Sequence, residues 1–337
     1  MTKKINWLTY VRGLSFLVAL VFLFVVLLSL SLGAGHHPLS GPALQGKEGV
    51  ISSNSFQFAV LSDSHRGWGK FMPIMKEIAK DGYSFAVHGG DFVSASSEDQ
   101  YRFFFKKLAE VRGKTPLYFV PGNHDTFKED GTYSAELFRS YCGPDHYWFS
   151  WGNAAFVVLN DAQSIILDDE FRWLESTLRE LRGRGTFTHL FVFMHVPPFD
   201  PREDNSYCLQ ESDGEKFMAL MEKYRVAYVF SGHIHCYFRK VINGVTYIIC
   251  GGAGGGLKCA NGFFHYVRIS VEDKKIEDSV IKVKNDGWLQ LKGDIQYELR
   301  VRNPFLLPLT VVMGIILLLF SLLFPKIVKR EKKNYND

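Results

Sequence analysis

Two runs of uncharged, apolar residues bracket this chain and limit what it can become. Residues 13–32, GLSFLVALVFLFVVLLSLSL, and residues 304–324, PFLLPLTVVMGIILLLFSLLF, contain no Asp, Glu, Lys or Arg. At 1.5 Å of rise per residue, a helix of that length spans a bilayer hydrocarbon core of about 30 Å, which predicts a transmembrane helix at each end. A cleaved signal peptide is the competing reading of the first run, and SLGAG offers small residues for cleavage. Signal h-regions usually hold about 7 to 15 residues, however, and this run is longer, so an uncleaved anchor is expected. Lys3, Lys4 and Arg12 precede the first run, and Lys326, Lys329, Arg330, Lys332 and Lys333 follow the second. By the positive-inside rule both tails are cytoplasmic and everything between the spans lies outside the cytoplasm; Arg300 and Arg302 are a counter-signal.

The expected organisation is a cytoplasmic tail (1–12), a transmembrane helix (13–32), a Gly/Pro/Ser-rich linker (33–54), an outer domain (55–303), a second transmembrane helix (304–324) and a basic cytoplasmic tail (325–337). The formal charge of +4 then divides unevenly. The two tails hold +6, which leaves −2 for the outer domain, so the basic character belongs to the membrane flanks and no nucleic-acid partner is expected. A nuclease is disfavoured on the same ground. Cys142, Cys208, Cys236, Cys250 and Cys259 all fall in the outer domain, where disulfides persist. Cys250 and Cys259 flank a glycine loop and could close it; Cys142 could pair with Cys208 and leave Cys236 free; fully reduced thiols remain the alternative. The outer domain has no Asn-x-Ser/Thr acceptor, which fits a bacterial envelope.

Within the outer domain, buried-strand runs alternate with amphipathic stretches. FQFAVLSD precedes KFMPIMKEIAK, FAVHGGD precedes EDQYRFFFKKLAEVRGK, and PLYFV follows. AAFVVLND leads into a helix with Phe171, Leu174, Leu178 and Leu181 in one stripe; THLFVFMH and GEKFMALMEKY precede VAYVFSGHIH. This alternation predicts a largely parallel sheet covered by helices. After residue 237 consecutive strands (YFRKVI, VTYIIC, FFHYVRISV, IEDSVIKV) predict an antiparallel ending.

The residues with metal-ligand chemistry stand where those strands end. They are Asp63 and His65 (SDSH), Asp91 (GGD), Asn123, His124 and Asp125 (GNHD), His195 (FMH), and His233 with His235 (SGHIH). Ligand sites in open α/β sheets form beyond the carboxyl ends of strands, so the five clusters should converge. With His124 and Asp125 set aside, four His, two Asp and one Asn still exceed one tetrahedral zinc and suit two metals with mixed O and N donors. Singly, each has a plain structural role as a cap, turn former or core histidine. His88, His189 and His265 lie inside strand patterns and are read as structural, and GGAGGG at 251–256 as permitting close backbone approach.

Taken in order, DSH, GD, GNHD, H and GHIH resemble the calcineurin-like metallophosphoesterase superfamily over about residues 56 to 270. The resemblance implies an α/β fold, a two-sheet β-sandwich flanked by helices. It implies that Asp63, His65 and His235 bind one metal, that Asp91 bridges, and that Asn123, His195 and His233 hold the second. His124 would contact the phosphoryl oxygen or protonate the leaving group, with Asp125 orienting its ring. The implied cofactors are two divalent or trivalent ions (Mn, Fe or Zn), and the implied reaction is hydrolysis of a phosphate monoester or diester by a metal-bridging hydroxide. Tethering makes a lipid-linked phosphate-ester substrate an expectation. The GDFVSA stretch has no Tyr, which disfavours the ferric–Tyr site of purple acid phosphatases, and HVPP looks closer to bacterial phosphodiesterases than to Ser/Thr protein phosphatases. The alternative is a metal-binding sensor or assembly factor without turnover on the same fold.

Overall fold

The computed structural model describes residues 16–24, 53–202, 206–306, 309, 311–316 and 319. About half of each apolar run, and all but the end of the linker, therefore lie outside the described residues. Among the described residues, no helix is long and apolar enough to cross a membrane. The chain forms two compact units, Gly35–Leu291 and a second made of Met1–Ala34 with Lys292–Asp337. In the second, residues 16–24 are helical.

The larger unit is a mixed α/β structure with two sheets. In the first, β1 (Ser55–Leu61), β2 (Phe85–His88) and β3 (Leu117–Phe119) run parallel, β10 (His265–Glu272) adds antiparallel to β1, and β11 (Lys275–Lys282) adds antiparallel to β10. In the second, β5 (Ala154–Val158), β6 (His189–Phe193), β7 (Tyr228–Ser231) and β9 (Val245–Cys250) are parallel. Antiparallel β4 (Tyr147–Trp151) and β8 (Tyr237–Ile242) form its edges. The sequence predicts the parallel segments and the antiparallel ending; the two sheets divide between β3 and β4, and the last four strands then split between them, β8 and β9 joining one sheet and β10 and β11 the other.

Strand periodicity explains the layering. Phe56, Phe58 and Val60 of β1 alternate inward and meet Phe149, Phe156, Phe191, Phe193 and Phe230 from the opposite sheet. Phe58 is the hub, stacked on Phe85 at 5.0 Å and edge-on to Phe156 and Phe191 at 5.3 Å each. Such aromatic geometry adds to area burial and fixes how the sheets face each other. The opposite face of the second sheet is covered by α5 (Asp168–Gly183) and α6 (Glu211–Lys223), and the predicted stripe of Phe171, Leu174, Leu178 and Leu181 is what it buries. On the first sheet's side lie α1 (Trp68–Lys80) and α2 (Glu98–Ala109), where Phe71 meets Phe104 at 5.2 Å. Three further helices, α3 (Asn123–Thr126), α4 (Glu136–Cys142) and α7 (Gly287–Tyr297), are absent from the sequence reading.

Candidate metal centre

Every sequence-singled metal donor sits just past a strand, and the two sheets bring them together. The first sheet supplies Asp63 and His65 after β1, Asp91 after β2 and Asn123 after β3; the second supplies His195 after β6 and His233 with His235 after β7. Asp63, His65, Asp91 and His233 all take positive φ, from 41° to 64°. Non-glycine residues rarely adopt this region, and its concentration here means the turns are shaped to aim ligands rather than to relax.

The donors fall into two sets. Ligand atoms of Asp63, His65 and His235 lie within 4.8 Å of one another, as do those of Asp91, His195 and His233. His235 Nε2 stands 3.3 Å from Asp63 Oδ1 and 3.4 Å from His65 Nε2. Asn123 Oδ1 completes the second set, 3.1 Å from His195 Nε2 and 3.0 Å from His233 Nδ1. Asp91 Oδ2 lies 3.3 Å from His195 and 3.7 Å from His65, so one carboxylate reaches both sets. Nitrogen lone pairs aimed at each other at 3.3 to 3.4 Å repel unless a cation or proton lies between them, and the buried donors thus fit ions of the Mn, Fe or Zn type.

The surrounding backbone fixes which ring nitrogen is presented. His65, His195 and His235 donate Nδ1–H to the carbonyls of Val93, Gly89 and Gly256 at 3.1, 2.9 and 2.7 Å, leaving Nε2 for a metal. His233 is reversed and turns Nδ1 inward. Glycines allow the approach: a Cβ on Gly255 would come within 2.7 Å of the His235 ring and 2.9 Å of the His65 ring. This is the close backbone approach expected of the GGAGGG stretch.

Charge is balanced inside the pocket. Burial works against ionising Asp63, but its hydrogen bond and charge interaction with His235 hold it at about 2. Burial likewise opposes charge on His195, yet the neighbouring Asp91 lifts it to about 10. His233 falls to about 4 through burial and the His195 charge. Ion binding here must displace the His195 proton.

His124 is exposed and places a ring nitrogen within 4.8 Å of donor atoms of His65 and Asp91. Its Nδ1 donates to the Ser94 carbonyl at 2.7 Å. Asp125 does not orient this ring, contrary to expectation. Its buried carboxylate accepts the backbone N–H groups of Asp91 (2.7 Å), Gly122 (2.9 Å), Phe92 (3.0 Å) and Val93 (3.2 Å). In α3 successive side chains diverge by about 100°, so His124 points out while Asp125 points back under the Asp91 loop. The sequence reading also passed over Asp161, fully buried, whose carboxylate accepts the N–H of His195 and of Val196, both at 2.8 Å. Its signal was available, since VVLND ends a strand on a carboxylate as VLSD does.

His88, His189 and His265 stand outside both sets, hydrogen-bonded to Ser64 Oγ, the Asp273 carbonyl and the Phe263 carbonyl. Closure of the glycine loop by Cys250 and Cys259 is one of the pairings the sequence leaves open, and the structure forms another: Cys236 pairs with Cys259, and Cys142 is a buried thiol. Cys250 faces the aromatic interior between the sheets, whereas Cys236 and Ile249 face the opposite side, where Cys259 packs.

The family model described as calcineurin-like phosphoesterase matches residues 56–237, more than half of the chain. The chain belongs to that family. Among relatives of this calcineurin-like phosphoesterase, the serine/threonine-protein phosphatase CPPED1 of Danio rerio is 30% identical over 166 residues, 45% of this chain and 53% of that protein. A probable cyclic nucleotide phosphodiesterase of Fibrobacter succinogenes is 24% identical over 163 residues, 44% of this chain and 56% of the other. The chain spans about half the length of these curated relatives. The crystal structure of a dimetal phosphatase from Danio rerio shares the fold, with a TM-score of 0.53 at 14% identity over 68% of this chain and 99% of that one.

Proposed function

We propose that this calcineurin-like phosphoesterase is a membrane-anchored, dinuclear-metal hydrolase of phosphate monoesters or diesters, with its catalytic domain outside the cytoplasm and both tails inside. One observation carries the catalytic part: two donor sets, Asp63/His65/His235 and Asp91/Asn123/His195/His233, share the Asp91 carboxylate. When bound, a pair of cations supplies charge neutralisation at the phosphoryl oxygens and hydroxide near neutral pH. The protein's part is positional. Asp91 holds the two sets together, Asn123 contributes an oxygen without added negative charge, and His124, its Nδ1 anchored by Ser94, has Nε2 left to deliver a proton to the leaving oxygen.

The apolar runs at 13–32 and 304–324 support anchoring, and the Cys236–Cys259 disulfide supports an oxidising compartment. Tethering favours substrates carried at a membrane, such as a phosphate ester on a lipid. The test is hydrolysis of p-nitrophenyl phosphate and bis-p-nitrophenyl phosphate by the full chain in mild detergent with Mn²⁺. Turnover of at least one is expected; inactivity on both, and on nucleotide and phospholipid panels, would refute the assignment. A silent sensor on the same fold is disfavoured because no donor of the site is missing. His124→Ala separates the two: for a hydrolase, turnover falls about 10²- to 10⁴-fold with metal content unchanged.

A further inference from the structure

We propose that the Cys236–Cys259 disulfide is a positioning element for the metal set of Asp63, His65 and His235, and that reducing it selectively loosens the ion held there. The inference rests on the two-ion reading above. Cys236 directly follows His235, and its partner Cys259 lies at the end of the glycine loop that wraps this set. Three hydrogen bonds tie that loop to the donors. Gly256 accepts the His235 Nδ1–H at 2.7 Å, Lys258 donates to the His235 carbonyl at 3.1 Å, and Gly255 donates to the Asp63 carbonyl at 2.7 Å. The Gly255 backbone lies so close to the His235 and His65 rings that no side chain fits between them.

The loop therefore sets the tautomer and the aim of His235, and the disulfide sets the loop. Its 23-residue span, with Cα atoms 5.8 Å apart, fastens the far end of the glycine stretch to the residue after the ligand. The second set draws most of its support elsewhere, the exception being the His233 N–H, which the Asp63 carboxylate accepts at 3.0 Å. Gly89 and Asp161 hold His195, and Asp125 holds the Asp91 turn. None of these belongs to residues 251–259, which is why the loss should fall on one ion.

The test uses the full chain, with Mn²⁺ as the probe and free Mn²⁺ read by electron paramagnetic resonance. Titrations are compared before and after treatment with a water-soluble phosphine. The phosphine is oxidised to its oxide with oxygen from water, the S–S bond breaks, and the two thiols take up the protons. Reduction is confirmed by a gain of two titratable thiols. The oxidised protein is expected to bind two equivalents; after reduction one should weaken about 10- to 100-fold, the usual effect of losing a ligand's supporting partner, while the other holds. Cys236→Ser/Cys259→Ser should reproduce this without reductant, and in His235→Ala reduction should cause no further loss. Equal affinities before and after reduction, or both equivalents falling together, would overturn the proposal alone. Fewer than two equivalents in the oxidised protein would overturn the two-ion reading with it.

Discussion

Replacing Asp125 tests whether the residue after His124 serves the ring beside it or the loop beneath it. Its carboxylate is fully buried and accepts four backbone N–H groups, from Asp91, Phe92, Val93 and Gly122. In Asp125→Ala those donors lose their acceptor in a site with little room for water. At a net value of about 1 kcal/mol per bond the loss is about 4 kcal/mol. Asp125→Asn keeps one oxygen, and so at most one of the two pairs, Asp91 with Gly122 or Phe92 with Val93, and should lose about half as much. The assay is guanidinium unfolding followed by tryptophan fluorescence, with metal content measured in parallel. Asp91 moves with its turn, so metal should be lost as well. If Asp125→Ala unfolds at the parent's midpoint while turnover collapses, Asp125 acts on His124 and not on the loop, and the bracing argument is wrong.

Other outcomes follow from the same geometry. Gly255→Ala should lower metal content with the far-ultraviolet dichroism unchanged, because its Cβ displaces the His235 and His65 rings. Metal affinity should rise with pH by up to about tenfold per unit until about pH 10, since His195, lifted to about 10 against burial by Asp91, must release its proton; calorimetry in buffers of different ionisation enthalpy would detect that proton. The raised pKa also stabilises the protonated fold below the ordinary value of 6.5, a contribution lost as pH climbs through 10. Phe58→Ala should cost about 3 to 5 kcal/mol in the same denaturation assay, because it empties the ring cluster between the sheets.

The donors were legible because each is a polar residue ending an apolar run, a pattern that survives without knowledge of the fold. Their grouping was legible only through the resemblance, since nothing in the spacing of Asp63 and His235 says that they meet. Asp125 was misjudged because neighbours in sequence are not neighbours on a one-turn helix. The sequence leaves the disulfide pairing open because strand parity decides it: Ile249 and Cys250 face opposite sides of β9, and only the Ile249 side holds Cys236 and Cys259. Asp161 was passed over because its partners are backbone N–H groups, which leave no mark in side-chain identity. The membrane runs remain a matter of hydropathy.

Neither sheet owns a complete ion site. Asp63 and His65 come from one leaf of the sandwich while His235 comes from the other, and Asp91 and Asn123 face His195 and His233 across the same seam. Bound cations would act as rivets through the rim of a book whose spine is phenylalanine. A chelator should therefore do more than silence turnover: it should let the pages part at that rim, and amide exchange at the turns after β1, β2, β6 and β7 should quicken together.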